Sequence, residues 1–335
     1  MTVGSDDDRP IAMTLGDPAG IGPEVAARLI AGGSLEGKLL LVGSAWALGK
    51  GAEAAGVRLP DVEVVDDAGA IRGQVGLIDL GGEPESFRFG EVNAACGALA
   101  VRAVEGAARL CLAGKVAAMV TCPINKAAVH AAGYTDDIGH QEILARLTGA
   151  SWTATMLMTP GLKVVHLSTH KSLIEAARFV TRRNVEEKLA LLDETLGRWG
   201  LRNPRIAVAA LNPHGGEQGL LGREELDEIE PAVAAARTAG IDAVGPLPAD
   251  SVFNRAIDGE FDVVLAMYHD QGHIAIKVHN FHESTTATLG IPFVRTSVDH
   301  GTAFDIAGSG RADERGLAAA LDAARALSQG QLARL

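Results

Sequence analysis

Few aromatic residues, few cysteines and no long apolar run narrow the classes of protein that this 335-residue sequence can encode. Three cysteines without a CxxC spacing predict buried thiols, not a disulfide framework or a cysteine-bound zinc ion. A membrane-spanning helix needs about eighteen uninterrupted apolar residues, and no apolar run here is that long. The start, MTVGSDDDRP, is acidic where a secretory signal is basic and then apolar. We therefore expect a cytoplasmic protein without a membrane partner.

Positive charge is also scarce, with 30 Lys and Arg against 42 Asp and Glu and a formal net charge of −12. Nucleic acids and anionic membranes bind proteins through a basic surface, so neither is expected as a partner. A small anionic substrate stays compatible with this charge if a local cluster of cations overcomes the repulsion of the whole chain.

Apolar residues make up 47% of the chain and aromatic ones only 4%, so Val, Leu, Ile and Ala must form most of the core. Short apolar runs predict strands at PIAMTLG, KLLLVG, GLIDLG, AAMVTCP, LKVVHLS, RIAVAALNP, FDVVLAMYH and IPFVRTS. Helical periodicity marks PEVAARLI, ACGALAVRAVEGAARLCLAG, QEILARLTG, RNVEEKLALLDETLGRWG, REELDEIEPAVAAARTAG and RGLAAALDAARALSQ. Near-continuous apolar strands separated by helices predict an α/β fold whose sheet is covered on both faces.

Two polar, glycine-containing segments, NKAAVHAAGYTDDIGH and HNFHESTTATLG, are the candidate breaks between domains. They predict one α/β lobe from residues 1–133 plus 285–335, which contains both termini. A second α/β lobe is predicted over residues 134–284.

The stretch LAMYHDQGHIAIKVHNFH concentrates four of the ten histidines in eighteen residues (265–282). HDQGH imitates the HExxH pattern of zinc proteases, in which two histidines share one helical face. Gly272 and the β-branched flanks favour strand, loop, strand instead, so His269 and His273 are not expected to share a helical face.

Three histidines follow predicted strands: His170 after LKVVHLS, His214 after RIAVAALNP and His269 at the end of VVLAMYH. Ligands of open α/β sheets bind at the carboxyl ends of the strands, so these imidazoles can converge on one divalent cation. His166 is interpreted as a buried, hydrogen-bonded core residue. The remaining histidines, His130, His273, His279 and His282, are interpreted as loop or surface residues.

Other strand ends carry cations and glycines. Lys126 follows a strand in TCPINK, His140 precedes a helix in DIGHQE, and Lys277 and Arg295 emerge from apolar segments. Several cations near one set of strand ends can hold a phosphate or carboxylate. GDPAGIGPE, at the first strand-to-helix turn, is either a place where backbone N–H groups approach a ligand or a tight connection. The glycine-rich segment 296–313 suits either a nucleotide or a plain surface loop.

The motifs GDPAGIGPE, TCPINK, GHQE, STH, NPHGGE, GPLPAD, MYHDQGH and RTSVDHGTA occur in this order over nearly the whole chain. This series resembles the 4-hydroxythreonine-4-phosphate dehydrogenase family of pyridoxine biosynthesis, including its 4-phospho-D-threonate and erythronate branch. The resemblance implies a fold of two α/β/α lobes around a cleft, like that of isocitrate and isopropylmalate dehydrogenases. It also implies a homodimer with a shared active site between the lobes, and metal and dimer contacts in the lobe 134–284.

The resemblance also implies roles for individual residues. His170, His214 and His269 match the metal ligands, which agrees with the strand-end interpretation. The substrate-binding positions are His140, Gln141, Lys277, Thr286 and Arg295. Gln141 stands where the family usually has threonine and Thr286 where it has asparagine, so both bear on which substrate binds. The DHGTAFDIAGSG segment resembles the nicotinamide-nucleotide loop, which assigns the cofactor to Asp299, His300, Gly301 and Thr302.

The expected reaction is a metal-dependent, NAD(P)-linked oxidation of a phosphorylated four-carbon hydroxy acid of the 4-phosphohydroxy-L-threonine type, followed by loss of CO2. Asp270 is a candidate either for a carboxylate that supports a metal ligand or for a proton relay, and Lys126 is a candidate to assist proton transfer. The nucleotide can be NAD or NADP, and the metal Zn, Mg, Mn or Co. The alternative substrates are 4-phospho-D-threonate, 4-phosphoerythronate and carboxylated aromatic cis-dihydrodiols. Two other classes stay open: a nicotinamide-independent metallohydrolase or decarboxylase, and a catalytically silent binding protein.

Overall fold

The computed structural model describes residues 8–33, 35–137 and 139–335, in which strands and helices alternate along the chain. The strands are Ile11–Thr14 (β1), Leu39–Gly43 (β2), Val62–Val64 (β3), Val75–Asp79 (β4), Ala118–Thr121 (β5), Ala154–Thr159 (β6), Leu162–His166 (β7), Ile206–Ala209 (β8), Ala243–Leu247 (β9), Val263–Ala266 (β10), Thr285–Leu289 (β11) and Arg295–Val298 (β12). The helices are Gly22–Ala31 (α1), Ala45–Ala55 (α2), Ala94–Leu112 (α3), Lys126–Ala131 (α4), His140–Thr148 (α5), Leu173–Phe179 (α6), Arg182–Arg198 (α7), Glu230–Thr238 (α8), Ala249–Ile257 (α9), His269–His279 (α10) and Arg315–Ser328 (α11). The predicted α/β class is confirmed.

The chain divides into two compact units. Unit 1 comprises Met1–Thr153 and Ile291–Gln329, and unit 2 comprises Ala154–Gly290 and Gly330–Leu335. The predicted boundaries at residues 133 and 284 differ from these. Residues 134–153 belong to unit 1, and residues 285–290 belong to unit 2. Helix α5 packs on α3 and so belongs to unit 1, whereas β11 pairs with β6 in unit 2. The last residues also belong to unit 2, where the Leu332 N–H donates to the Trp199 carbonyl.

Unit 1 has a parallel sheet in the order β3-β4-β2-β1-β5-β12. Strands β1, β2 and β5 are buried at every position, as their continuous apolar runs predict for strands covered on both faces. Helix α3 supplies Val101, Val104 and Ala108 to the core beneath them. Each fully buried Val or Leu contributes about 1.5–3 kcal/mol relative to an exposed one.

Unit 2 has its strands in the order β11-β6-β7-β10-β8-β9. Strands β7, β10, β8 and β9 are parallel, while β6 runs antiparallel to both β7 and β11. The core of this unit is built from Val164, Ala207, Val252, Val264 and Ile276, which are all buried.

Residues 269–279 form a helix, so the prediction of strand, loop, strand for this stretch was wrong. Gly272 costs helix stability by propensity, but here it lets α10 approach β7 closely. A Cβ atom at Gly272 would stand 2.3 Å from His166 Nε2 and 2.6 Å from Val164 Cγ1. Tertiary packing therefore determines the conformation of this segment, and it places His269 and His273 one turn apart on the same helical face.

The predicted strands were found at β1, β2, β4, β5, β7, β8, β10 and β12, and the predicted helices at α1, α3, α5, α7, α8 and α11. The three cysteines are free and buried, and burial raises the pKa of each thiol to about 12. None of the helices in the described ranges is long and apolar enough to cross a membrane.

Replacing Gly272 by Ala should destabilise unit 2 by about 1–3 kcal/mol, because the added methyl group overlaps the His166 ring and Val164. The matched control is Gly197→Ala in α7, where a Cβ would meet nothing within 4 Å. That variant should be stabilised by up to about 1 kcal/mol through helix propensity. Urea unfolding of both variants measures the difference, and equal effects would contradict the close packing of α10 on β7.

Candidate functional site

Three neighbouring strands of unit 2 lead to the three predicted metal ligands. The order β7-β10-β8 places the ends of these strands side by side, and all three run parallel. His170 follows the end of β7, His269 that of β10 and His214 that of β8. The carboxyl ends of parallel strands meet at one edge of a sheet, so the three segments leave the sheet at the same edge.

The side chains themselves are not gathered around one point. Within the residues that the structure describes, no three or more His, Cys, Asp or Glu side chains are placed to hold a metal ion. The donor set still fits a divalent cation by its chemistry, because neutral imidazole is the commonest metal ligand in proteins. The metal site at His170, His214 and His269 therefore stays a prediction.

His269 begins α10 and is oriented by two neighbours. Its Nδ1 is 2.7 Å from Asp270 Oδ1, and a donated N–H there leaves Nε2 free as an acceptor. The His269 and His273 rings stack with centroids 3.6 Å apart. Asp270 is thus placed as a carboxylate that orients a histidine, one of the two roles predicted for it.

His166 and His273 form a contact that the sequence did not indicate. His273 Nδ1 is 3.2 Å from His166 Nε2 and 3.1 Å from the His269 carbonyl oxygen. His166 is buried as predicted, but its Nδ1 lacks a hydrogen-bond partner among the described residues. Burial, reinforced by the neighbouring His273 and His269, lowers the pKa of His166 to about 3, so this ring is neutral at pH 7.

His214 lies in a turn of left-handed backbone. Residues 214–218 all have positive φ, and three of them, His214, Glu217 and Gln218, are not glycine. Such a residue costs about 1–3 kcal/mol and persists only where its surroundings hold it, which is most often at functional sites. Before this turn, Gln271 accepts from the Met267 N–H and donates to the Ala210 carbonyl, which joins the ends of β10 and β8.

In unit 1, Arg295 is a buried cation within a hydroxyl network. Its Nε and Nη2 donate to Thr121 Oγ1 at 3.1 and 2.6 Å, and Thr121 in turn donates to Ser297 Oγ. Burial lowers the pKa of Arg295 to about 10, which leaves the guanidinium charged at neutral pH. Thr121 was not singled out from the sequence, although it begins the TCPINK motif.

His140, the first residue of α5, presents an unoccupied ring nitrogen in the same unit. Its Nε2 is shielded from solvent without a hydrogen-bond partner in the described part of the chain. Burial and the charge of Arg295 hold the pKa of His140 well below its usual range, against a hydrogen bond to the Cys122 backbone. The side chain of Lys126 reaches the neighbourhood of Gly139, one residue before His140.

Backbone N–H groups of the GDPAGIGPE turn donate hydrogen bonds to other residues of the same chain. The N–H groups of Asp17 and Ile21 donate to the carbonyls of Pro123 and Thr302, and the Ala19 N–H donates to Asp17 Oδ1. A Cβ at Gly20 would stand 2.9 Å from Thr302 Cβ. Of the two interpretations left open, the structure favours the tight connection over a ligand cradle.

Helix α1 fixes the far end of the glycine-rich loop. The Ala312 N–H donates to Glu24 Oε1 at 3.0 Å, and Arg28 Nη2 donates to the Gly310 carbonyl at 2.5 Å. Asp299, His300, Gly301 and Thr302 open this loop, with His300 and Gly301 exposed and Thr302 buried. Their role in nucleotide binding stays a prediction.

The remaining predicted residues occupy different positions in the two units. Lys277 lies on α10 with Nζ 5.0 Å from the Phe281 ring centroid. Thr286 is buried in β11 opposite Leu157 of β6. Gln141 is a half-buried residue in the first turn of α5.

Comparison with known proteins gives one consistent result. The family model described as "Pyridoxal phosphate biosynthetic protein PdxA" matches residues 36–324. The chain is 42% identical over 323 residues to D-threonate 4-phosphate dehydrogenase from Pectobacterium atrosepticum, covering 95% of this chain and 99% of that one. It is also 42% identical over 316 residues to 4-hydroxythreonine-4-phosphate dehydrogenase from Geobacter metallireducens, covering 93% of both chains.

A solved structure agrees with these relatives. The crystal structure of 4-hydroxythreonine-4-phosphate dehydrogenase from Klebsiella pneumoniae superposes with a TM-score of 0.90 at 41% identity, covering 97% of this chain and 100% of that one. The protein is accordingly a dehydrogenase of the α/β class. It belongs to the PdxA family, as the motif series indicates.

The buried Asp17 carboxyl group should make the stability of the protein depend on pH. Burial raises its pKa to about 6 from 3.8, so between these values the folded protein keeps a proton that the unfolded chain loses. The contribution of Asp17 to the free energy of unfolding is therefore greatest below about pH 4. It falls as the pH rises and is lost above about pH 6, a total decrease of up to about 3 kcal/mol.

In Asp17→Asn this titration is absent. The free energy of unfolding of the variant minus that of the wild type should therefore increase between pH 4 and pH 7. Urea unfolding at each pH measures the difference, with the exposed Asp61→Asn variant as a control for the substitution itself. A difference for Asp17→Asn that does not change with pH would contradict the assignment.

Proposed function

We propose that the protein oxidises a 4-phosphorylated four-carbon hydroxy acid, with NAD or NADP as the hydride acceptor and a divalent metal ion as cofactor. The relatives support this substrate class, because both names describe a four-carbon acid carrying a 4-phosphate. They are equally similar to the chain, so the proposal covers the chemistry that 4-phospho-D-threonate and 4-phosphohydroxy-L-threonine share. A nicotinamide-independent metallohydrolase and a silent binding protein are disfavoured, because the relatives are dehydrogenases.

The buried Arg295 beside His140 is the observation that best supports an anionic substrate. A charged guanidinium in a shielded place binds phosphate or carboxylate more strongly than a solvated one, since the low dielectric strengthens the interaction. The free Nε2 of the neutral His140 adds a second hydrogen-bonding group. Gln141, Lys277 and Thr286 are also proposed as substrate-binding residues.

Hydride would leave the carbon that bears the hydroxyl group and add to the nicotinamide ring, while the hydroxyl proton passes to a base. The product is a β-keto acid, whose bond to the carboxylate can then break to release CO2. Asp270 and Lys126 are proposed to move protons in these steps. Asp270 would do so through its second carboxylate oxygen, Oδ2, while Oδ1 stays on His269 Nδ1, and Lys126 would act from its place beside Gly139.

His170, His214 and His269 are proposed to hold the divalent cation. When bound, the cation would supply Lewis-acid stabilisation of negative charge on the substrate oxygen, which is worth several kcal/mol of barrier. The Asp270 contact would keep His269 in the tautomer whose Nε2 can bind metal. Zinc, magnesium, manganese and cobalt are the candidates.

The nucleotide is proposed to bind at the glycine-rich loop that opens with Asp299, His300, Gly301 and Thr302. Glycines at positive φ, Gly308 and Gly310, give this loop a backbone that larger residues do not adopt readily. Hydrogen bonds to α1 anchor the far end of the loop, which would lower the cost of ordering it on binding.

We also propose that the active form is a homodimer. Apolar side chains are exposed on unit 2, and Ile274 and Val278 lie one turn apart on α10, with Phe281 just beyond. Exposed apolar patches of this kind mark protein interfaces. A monomeric mass by sedimentation velocity would contradict this assignment.

A substrate panel tests the function. 4-Phospho-D-threonate, 4-phosphoerythronate, 4-phosphohydroxy-L-threonine, their unphosphorylated forms and an aromatic cis-dihydrodiol carboxylate are each supplied with NAD and with NADP. We expect reduced nicotinamide to form with a phosphorylated acid, with kcat/KM at least about 100-fold above that of its unphosphorylated form. Activity with the dihydrodiol alone would contradict the proposal.

Replacing His214 by Ala should lower turnover at least about 1,000-fold and weaken metal binding, because a ligand to the Lewis acid is lost. Thermal unfolding should show that the variant still folds. The matched control is His130→Ala, an exposed histidine on α4 without a proposed role, which should keep wild-type turnover. Full activity of the wild type after removal of all metal would refute the assignment.

A further inference from the structure

Glu225 is a buried carboxylate that receives three hydrogen bonds. It is 1% exposed and begins the short π-helical segment Glu225–Ile229 before α8. Its Oε1 accepts from the backbone N–H groups of Leu211 and Asn212 at 2.9 and 2.7 Å, and its Oε2 accepts from Asn212 Nδ2 at 2.9 Å. Hydrogen bonds to an ionised carboxylate are about twice as strong as those between neutral groups.

The backbone that Glu225 holds is the base of the loop that carries His214. Asn212 lies two residues before His214, and its Nδ2 also donates to Glu224 at 2.7 Å. Glycines make this closure possible: a Cβ at Gly216 would stand 2.7 Å from Glu225 Oε2. The left-handed turn of residues 214–218 begins directly after this anchored base.

We infer that Glu225 is the positioning residue of His214. It would not touch metal or substrate, but it fixes the backbone from which the His214 ring projects. An anchored base limits the directions that the imidazole can take, and a ligand held in advance binds its ion more tightly than a mobile one. The inference rests on the proposed function, in which His214 is a metal ligand.

The test uses metal-free full-length protein titrated with Co²⁺ alone and followed by visible absorption and calorimetry. Glu225→Gln keeps the size of the side chain, but its amide group faces partners that are themselves donors. We expect its Co²⁺ affinity to fall by about 10- to 100-fold, as is typical when a supporting partner of a metal ligand is lost. The control Glu230→Gln removes an exposed charge from the adjoining first turn of α8 and should bind Co²⁺ like the wild type.

A second measurement separates positioning from loss of fold. Saturating Co²⁺ should restore most of the turnover of Glu225→Gln but not that of His214→Ala, because only the latter lacks a ligand. If Glu225→Gln does not fold, Asn212→Ala takes its place: it removes the side-chain donor but leaves the two backbone donors, and it should weaken Co²⁺ binding to a smaller extent.

Suppose that His214→Ala loses Co²⁺ binding. Wild-type Co²⁺ affinity in Glu225→Gln, or in Asn212→Ala when that variant replaces it, would then overturn the inference for Glu225. Wild-type Co²⁺ affinity in His214→Ala would instead show that the proposed metal role of His214 fails. The two failures are therefore distinguishable.

Discussion

Parallel pairing of β7, β10 and β8 is the constraint on which the candidate site of unit 2 depends. Apart from His166, the paired residues are buried Val, Leu, Ile and Ala, so the hydrophobic effect holds the three strands in register. Because the strands are parallel, the segments carrying His170, His269 and His214 all leave the sheet at one edge. A displaced strand would move its histidine with it, whatever the local chemistry.

Each of the three segments is then stabilised by a different local interaction. A capping box between Ser172 and Glu175 begins α6 just after His170. His269 is the first residue of α10 and contacts Asp270, and the base of the His214 loop is held by Glu225. These are short-range polar interactions, and they refine an arrangement that the apolar strands have already made.

Unit 1 contains three polar groups whose pKa values are shifted by burial. Arg295 has its pKa lowered by burial, as has His140, while that of Asp17 is raised, so in each case burial disfavours the charged form. Their concentration near Thr121 and the ends of β5 and β1 is typical of a functional site.

Much of the fold was predictable from periodicity, and the failures have physical causes. Strand β11, TTATL, is rich in threonine, and β9, AVGPL, contains glycine and proline, so neither has the apolar pattern of a buried strand. Helix α10 was predicted as strands because of Gly272 and its β-branched residues. Local propensity differs between helix and strand by about 1 kcal/mol per residue or less, and packing against β7 outweighs it.

The class of fold, the family and the histidines that follow strands could all be predicted before folding, because they depend on residue type and on spacing along the chain. Tertiary structure alone decided which strands are neighbours, that His166 meets His273, that Arg295 binds Thr121, and that Glu225 holds the base of the His214 loop. Arg295 and Thr121 are 174 residues apart, and His166 and His273 are 107 apart. Contacts over such separations form when apolar surfaces pack, and no local pattern of residues records them.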